Sequence, residues 1–240
     1  MRILILYDNV APPPLREGWG FSALVELPQR QILFDTGADR MVLAHNADAL
    51  GVNLAGVTDV FLSHSHCDHV GGLSYVLERA EGVRVFAPAG MERYLRPRVG
   101  GGKARLWVVK EPCELGEGLW STGTLGRRIR EHSLVVSAGR GAVLVTGCAH
   151  PGIAILARRA ARIACGELRL VLGGFHLLGS GPRRLKRVAG ELSRLAAGLA
   201  PGHCTGREAT EAFRTEVEDV NPLRVGTAFS LSGGPAGPDE

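Results

Sequence analysis

A chain of 240 residues with 45% hydrophobic content can bury one sizeable core, and none of its apolar runs approaches the length of a membrane span. The net charge of +4 and pI near 9.0 permit an anionic small-molecule substrate, but the basic residues are dispersed and not interleaved with aromatics, which argues against nucleic acid as a partner. The five cysteines (Cys67, Cys113, Cys148, Cys165 and Cys204) are odd in number and lack Cys-x-x-Cys spacing, so a disulfide framework is not expected and a reducing cytoplasm is.

Met1 to Asn9 has one positive charge and an apolar run too short for a signal-peptide core, so it reads as a first strand. Prolines 12 to 14 interrupt regular structure before Gly18-Trp19-Gly20. Phe21 to Leu27 and Gln31 to Phe34 read as a hairpin ending in Asp35-Thr36-Gly37, where Asp35 points off a strand end. Asp39 to Leu50 has helical spacing closed by Gly51. Val57 to Ser63 is a β-type run leading into His64-Ser65-His66-Cys67-Asp68-His69-Val70-Gly71-Gly72.

That run carries the chemistry. Neutral imidazole and carboxylate are the ligands that zinc, manganese and iron accept. In extended backbone, residues two apart point the same way, so His64 and His66 can grip one ion. Asp68 and His69 follow where the chain turns, so one short segment can serve one ion or two neighbouring ions.

Leu73 to Arg79 continues as a helix and Val83 to Ala87 as a short strand. Pro88 to Thr124 has little periodicity and contains Gly100-Gly101-Gly102, which suggests a substrate-facing insertion or lid. Strands are expected over Ser133 to Ser137 and Ala142 to Thr146, joined by the turn Gly139-Arg140-Gly141. A helix is expected over Ile153 to Cys165, a strand over Leu168 to Leu172, an amphipathic helix over Arg183 to Ala197 and a short helix over Glu208 to Val217. No linker divides the chain, so residues 1–231 are expected to form one domain, with the Gly/Pro-rich residues 232–240 as a disordered tail.

One device recurs: a regular element is followed by Gly and then by His, at Gly147-Cys148-Ala149-His150, Gly174-Phe175-His176 and Gly202-His203. These three histidines are ligand candidates. His45, mid-helix, and His132, at a strand start, read as packing or structural residues. Cys148 reads either as a thiolate ligand or as a small buried residue, and His176 as a ligand, a proton donor or a hydrogen-bond partner of substrate.

The opening run resembles the His-x-His-x-Asp-His signature of the metallo-β-lactamase superfamily. The resemblance implies an α/β fold, an αββα sandwich with a one- or two-metal site at the sheet edges, most often hydrolytic. It also implies that Asp35 lies beneath the metal site, that His203 is the last metal histidine, and that Cys148 stands where a bridging aspartate is usual. His150 then substitutes for the histidine missing between the first cluster and that position. Gly147-Cys148-Ala149-His150-Pro151-Gly152, Gly174-Phe175-His176 and His203-Cys204-Thr205-Gly206 together resemble the branch named for the dihydropterin-ribofuranosylaminobenzene phosphate synthase of methanopterin biosynthesis. That branch tends to show His-Gly-Leu-Ser where this chain has Trp19-Gly20-Phe21-Ser22.

The expected activity is that of a metal-dependent hydrolase acting on an ester or phosphate-containing small molecule. Its divalent metal is zinc, with manganese or iron as alternatives, held by His64, His66, Asp68, His69, His150 and His203. Asp68 and His176 carry proton transfer. The alternatives are a pterin-precursor condensing synthase, implied by the branch, and a non-catalytic metal- or ligand-binding member of the fold, motivated by Cys148.

Overall fold

The computed structural model describes residues 1–99, 104–139 and 141–231. Gly100-Gly101-Gly102 with Lys103, Arg140 and residues 232–240 lie outside the described residues. In chain order the first half contains β1 (Arg2–Tyr7), β2 (Ser22–Leu27), β3 (Arg30–Phe34), α1 (Arg40–Ala49), β4 (Asp59–Phe61), α2 (Cys67–Val70), α3 (Leu73–Leu77), β5 (Val83–Pro88), α4 (Glu92–Val99) and β6 (Ala104–Val109). Then come β7 (Cys113–Gly116), β8 (Leu119–Ser121), β9 (Leu134–Ser137), β10 (Ala142–Thr146), α5 (Ile153–Ile163), β11 (Leu168–Gly174), α6 (Pro182–Leu192), β12 (Ala196–Gly202), α7 (Arg207–Arg214), β13 (Asp219–Val220) and β14 (Ala228–Ser230).

The chain divides into two compact units. The first comprises Met1–Lys110, Arg127–Arg130 and Arg224–Ser230. Its seven-stranded sheet has the order β14-β1-β2-β3-β4-β5-β6, antiparallel from β14 to β3 and parallel from β3 to β6. Leu4, Leu6, Leu24, Leu33, Val60 and Leu62 pack with Leu43, Ala47, Val70, Leu73 and Val76 of the helices. The alternate strand residues Ile3, Ile5, Val25, Ile32, Phe34 and Phe61 are buried too. Burial on both faces explains why these strands read as apolar runs. Helix α1 starts where its spacing predicts, because the Asp39 side chain accepts the Met41 N–H at 2.6 Å.

The second unit comprises, among the described residues, Glu111–Gly126, Glu131–Leu223 and Leu231. Its sheet has the order β13-β12-β11-β10-β9-β8-β7, parallel from β13 to β10 and antiparallel from β10 to β7. Leu156, Ala160, Leu185, Val188, Leu192 and Phe213 of its helices pack with Val135, Leu144, Val171 and Leu199.

Two expectations are corrected. Where residues 88–124 show little periodicity, the described ones hold α4, β6, β7 and β8. Strands β6 and β7 are sheet edges whose outward positions take Arg105, Trp107 and Glu114, which blunts the apolar signal. The helix expected to reach Ala197 ends at Leu192, and Ala196–Gly202 forms a buried parallel strand. Its sequence, Ala-Ala-Gly-Leu-Ala-Pro-Gly, has no β-branched residue to reveal it.

Candidate metal centre

In the first unit the ligand candidates follow the C-terminal ends of neighbouring parallel strands. Strand β3 ends at Phe34, and Asp35 beyond it donates its N–H to the Phe61 carbonyl at 2.8 Å, which fixes it beside the end of β4. Its carboxylate is fully buried. One oxygen accepts the Ser63 N–H at 2.7 Å; the other accepts the Ser63 hydroxyl at 2.6 Å and lies 2.7 Å from His69 Nδ1. An ionised carboxylate can only accept, so the His69 proton sits on Nδ1 and its lone pair on Nε2. Because the Ser63 hydroxyl donates to Asp35, it accepts from His64 Nδ1 at 2.9 Å, which places the His64 lone pair on Nε2 too. The backbone joins the same clamp, with the Thr36 N–H and hydroxyl both donating to the His69 carbonyl.

Four donors therefore gather in this unit. The His64 ring centroid lies 4.7 Å from that of His66 and 4.2 Å from that of His69. Asp68 Oδ2 stands 3.7 Å from His69 Nε2, too long for a hydrogen bond and close to the roughly 3.3 Å separating two ligands on one tetrahedral ion. Helix α2 produces this arrangement: His66 is its extended cap residue, and Asp68 and His69 lie in its single turn.

The second unit builds its donors on the ends of β10, β11 and β12. Thr146 closes β10, and Cys148, Ala149 and His150 follow in a tight turn. All three N–H groups of that turn donate to the fully buried Glu131 carboxylate, at 3.0, 2.8 and 2.8 Å, and His150 Nδ1 lies 2.8 Å from the same group. His150 thus carries its proton on Nδ1 and its lone pair on Nε2. His176 follows β11, exposed, with its ring 4.5 Å from that of His150. His203 follows β12 and is buried. Cys148, His150 and His176 each place a ligand atom within 4.8 Å of the others, as do Cys148, His203 and Cys204. Gly174 makes room for this crowd: a Cβ there would stand 2.8 Å from Cys204 Sγ and 3.2 Å from His203 Cδ2.

Burial alone pushes a carboxyl pKa up, and Asp35 follows that rule despite its partners. Burial opposes ionisation of Glu131 as well, yet its hydrogen bonds from His150 and Ala149 outweigh it and hold its pKa below the ordinary value. In the metal-free chain the Cys204 thiol is pulled down to about 4, through hydrogen bonding with Cys148 first and then with His176 against the cost of burial. His176 is raised by its hydrogen bond with Cys204.

Sequence reasoning therefore named residues that cluster within each unit: Asp35, His64, His66, Asp68 and His69 in the first, and Cys148, His150, His176 and His203 in the second. It missed Glu131 and Cys204. Glu131 had one usable signal, a carboxylate two positions before the strand-type run Ser133 to Ser137, and it opens a run of buried residues. His132 lies buried with Nδ1 2.9 Å from Ser121 Oγ, and His45 lies 2.9 Å from the Pro14 carbonyl, consistent with structural roles. The donors fit a divalent metal, since three histidines have the lone pair fixed on Nε2 and carboxylate and thiol donors stand beside them. Among the described residues, no helix is long and apolar enough to cross a membrane.

Known proteins are similar to this chain. An uncharacterized protein of Methanocaldococcus jannaschii is 29% identical, the match covering 96% of this chain and 99% of that one. The 7,8-dihydropterin-6-methyl-4-(beta-D-ribofuranosyl)-aminobenzene-5'-phosphate synthase of the same organism is 26% identical over 86% of this chain and 88% of its own. The crystal structure of a metal-dependent hydrolase of the beta-lactamase superfamily superimposes with a TM-score of 0.80 at 27% identity, covering 97% of this chain and 99% of that one. Two mixed sheets flanked by helices, donors at parallel strand ends, and a match of residues 16–184 to the family model together place the chain in the metallo-beta-lactamase superfamily.

Proposed function

We propose that the protein is a metal-dependent hydrolase acting on an ester or phosphate-containing small anion, with one or two divalent ions held by His64, His66, Asp68, His69, His150 and His203. The observation that carries this reading is the carboxylate–histidine pair found in each unit, Asp35 with His69 and Glu131 with His150. Such pairs fix the tautomer and raise the basicity of a ligating imidazole. A divalent ion lowers the pKa of a bound water toward neutrality and polarises the oxygen under attack. Asp68, its side chain 15% exposed, accepts the proton of the attacking water. His176, exposed beside His150, donates a proton or a hydrogen bond to the leaving oxygen. Zinc suits imidazole, carboxylate and neighbouring thiol donors, with manganese or iron as alternatives. The five free cysteines accord with a reducing cytoplasm.

Atomic emission on protein purified without added metal, beside an ester, lactone and phosphodiester panel, tests this. At least one ion per chain and turnover on the panel are expected. Less than one ion, with no activity gained on adding zinc, manganese or iron, overturns it. Metal without turnover leaves the non-catalytic alternative. The 26% identity to the pterin-phosphate synthase favours a second reading, condensation of a pterin precursor with a phosphorylated partner. Turnover of that substrate pair, with the panel silent, would select it.

A further inference from the structure

A cavity of about 580 Å³ opens on the first unit, within the range of about 300–1,000 Å³ that small-molecule pockets occupy. Three guanidinium groups line it, those of Arg16, Arg40 and Arg79, together with two carboxylates, Asp48 and Glu78. None of these residues is a donor of the metal centre. The arginines are positioned before any ligand arrives. The fully buried Asn46 side chain accepts the Arg16 N–H at 2.8 Å and donates to the Arg16 and Leu6 carbonyls at 2.8 and 2.9 Å. His45 Nε2 donates to the Pro14 carbonyl at 2.9 Å, so α1 pins the segment that carries Arg16 at two points. Arg40 opens α1 directly behind its Asp39 cap. Among the described residues, neither Arg16 nor Arg40 makes an ion pair. The Arg79 guanidinium lies 3.4 Å from the centre of the Tyr75 ring, and its Nη1 donates to the Tyr75 carbonyl at 3.1 Å. Its approach to Glu78, at 3.8 Å, is too long for a hydrogen bond, so most of its N–H donors are left for a ligand.

We propose that this cavity is a second binding site, for a small polyhydroxy phosphate ester. Guanidinium groups match phosphate oxygens in a fork geometry, and positioned ones lose little freedom on binding. Carboxylates repel a phosphoryl dianion but accept hydrogen bonds from hydroxyl groups. The mixed lining therefore suits a ligand that carries both groups and disfavours a bare phosphate ion. Because the lining residues lie outside the metal centre, the assignment stands whether or not the chain is a hydrolase.

Titration calorimetry on the full chain, with chelator present to keep metal out of the measurement, tests this with three probes: glucose 6-phosphate, inorganic phosphate and glucose. Glucose 6-phosphate should bind saturably, inorganic phosphate several-fold more weakly and glucose not measurably. Arg40→Gln and Arg79→Gln should each weaken glucose 6-phosphate about two- to fivefold, as expected for exposed charges. Asp48→Asn should narrow the gap between the ester and inorganic phosphate. All three side chains are exposed, so the variants fold, which circular dichroism checks. Amide resonances of residues 16, 40–48 and 75–79 should move on titration, while those of residues 64–69 stay in place. The proposal is overturned by no saturable binding, by glucose or inorganic phosphate binding as tightly as the ester, or by affinity undiminished when both arginines are replaced. Resonance shifts centred on residues 64–69 would overturn it too, since the ester would then sit at the metal centre.

Discussion

Asp35 in the first unit and Glu131 in the second do the same job with different wiring. Each is fully buried and each holds a histidine Nδ1, at 2.7 and 2.8 Å. Asp35 accepts one backbone N–H and one hydroxyl besides the imidazole. Glu131 accepts three backbone N–H groups besides the imidazole. Peptide dipoles cannot rotate away, so they favour the charged form at every moment, whereas a hydroxyl can turn and donate elsewhere. The two pKa values move in opposite directions: burial raises Asp35 despite His69 and Ser63, whereas at Glu131 burial is outweighed by the bonds from the His150 side chain and from the His150 and Ala149 N–H groups, which lower it. In the second unit the carboxylate organises the ligand loop itself; in the first it organises tautomers.

The largest effect should follow from Glu131→Gln. One Glu131 oxygen accepts from the Cys148 and Ala149 N–H groups, the other from the His150 N–H and Nδ1. Whichever way the glutamine amide turns, two buried donors meet an NH2 group. Breaking such a network around a buried charge costs about 3 kcal/mol or more. Urea unfolding of the metal-free protein should show that loss, with metal content falling as well. Asp35→Asn should separate the two effects. Its oxygen can still accept the Ser63 N–H, and the raised pKa of Asp35 means that burial disfavours its charge. Stability should therefore change by no more than about 1 kcal/mol. The asparagine NH2, however, donates toward His69 Nδ1 and drives the proton to Nε2, so metal affinity should fall about 10- to 100-fold. Similar stability losses in the two variants would erase the distinction between them.

What the sequence made legible follows the same division. The run His64 to His69 could be read because its donors are neighbours in sequence, and its chemistry needs only extended backbone followed by a turn. Asp35 could be set at a strand end from its neighbours, but its place beneath the metal site was only what the superfamily resemblance implies. Glu131 could not, since it works by accepting N–H groups from residues 148 to 150, and a backbone donor has no letter in a sequence. The left-handed backbone at Asp35, Ala149, His176 and His203 was equally hidden, because none of these positions is glycine. Such conformations cost about 1–3 kcal/mol each and persist where the surroundings over-determine them. Here they aim side chains at strand ends. The apolar strands emerged from periodicity, but β12, built from small residues, did not.

Acid titration of the metal-free protein sets the two carboxylates against each other. Glu131 has a folded pKa below its ordinary value of 4.5, so its contribution to stability is complete above that pH and is lost as pH falls through the folded pKa. Asp35 has a folded pKa above its ordinary value of 3.8, so its contribution is complete below that pH and is lost as pH rises through the folded pKa. The stability gap between wild type and Glu131→Gln should accordingly shrink as pH drops below about 4.5. The balance between wild type and Asp35→Asn should move toward wild type as pH drops toward 3.8. Chemical unfolding at several pH values with chelator present measures both, and slopes of the same sign would contradict the assignment.

The smallest effect concerns the hydroxyl that only the Asp35 wiring uses. Ser63 Oγ donates to Asp35 Oδ2 at 2.6 Å and lies 2.9 Å from His64 Nδ1, so Asp35 governs His64 through Ser63. Ser63→Ala keeps the backbone N–H bond to Asp35 Oδ1 and removes the relay. Losing one buried hydroxyl bond should cost about 1 kcal/mol of stability. Metal affinity should fall about threefold to tenfold, less than in Asp35→Asn, since His69 keeps its carboxylate. Residues in one hydrogen-bond network do not contribute additively. Once asparagine has replaced Asp35, the serine no longer has a carboxylate to report on, so Asp35→Asn with Ser63→Ala should match Asp35→Asn alone in metal affinity. Additive losses in that double-mutant cycle would mean that His64 is oriented independently of Asp35, and that each unit's carboxylate serves one histidine only.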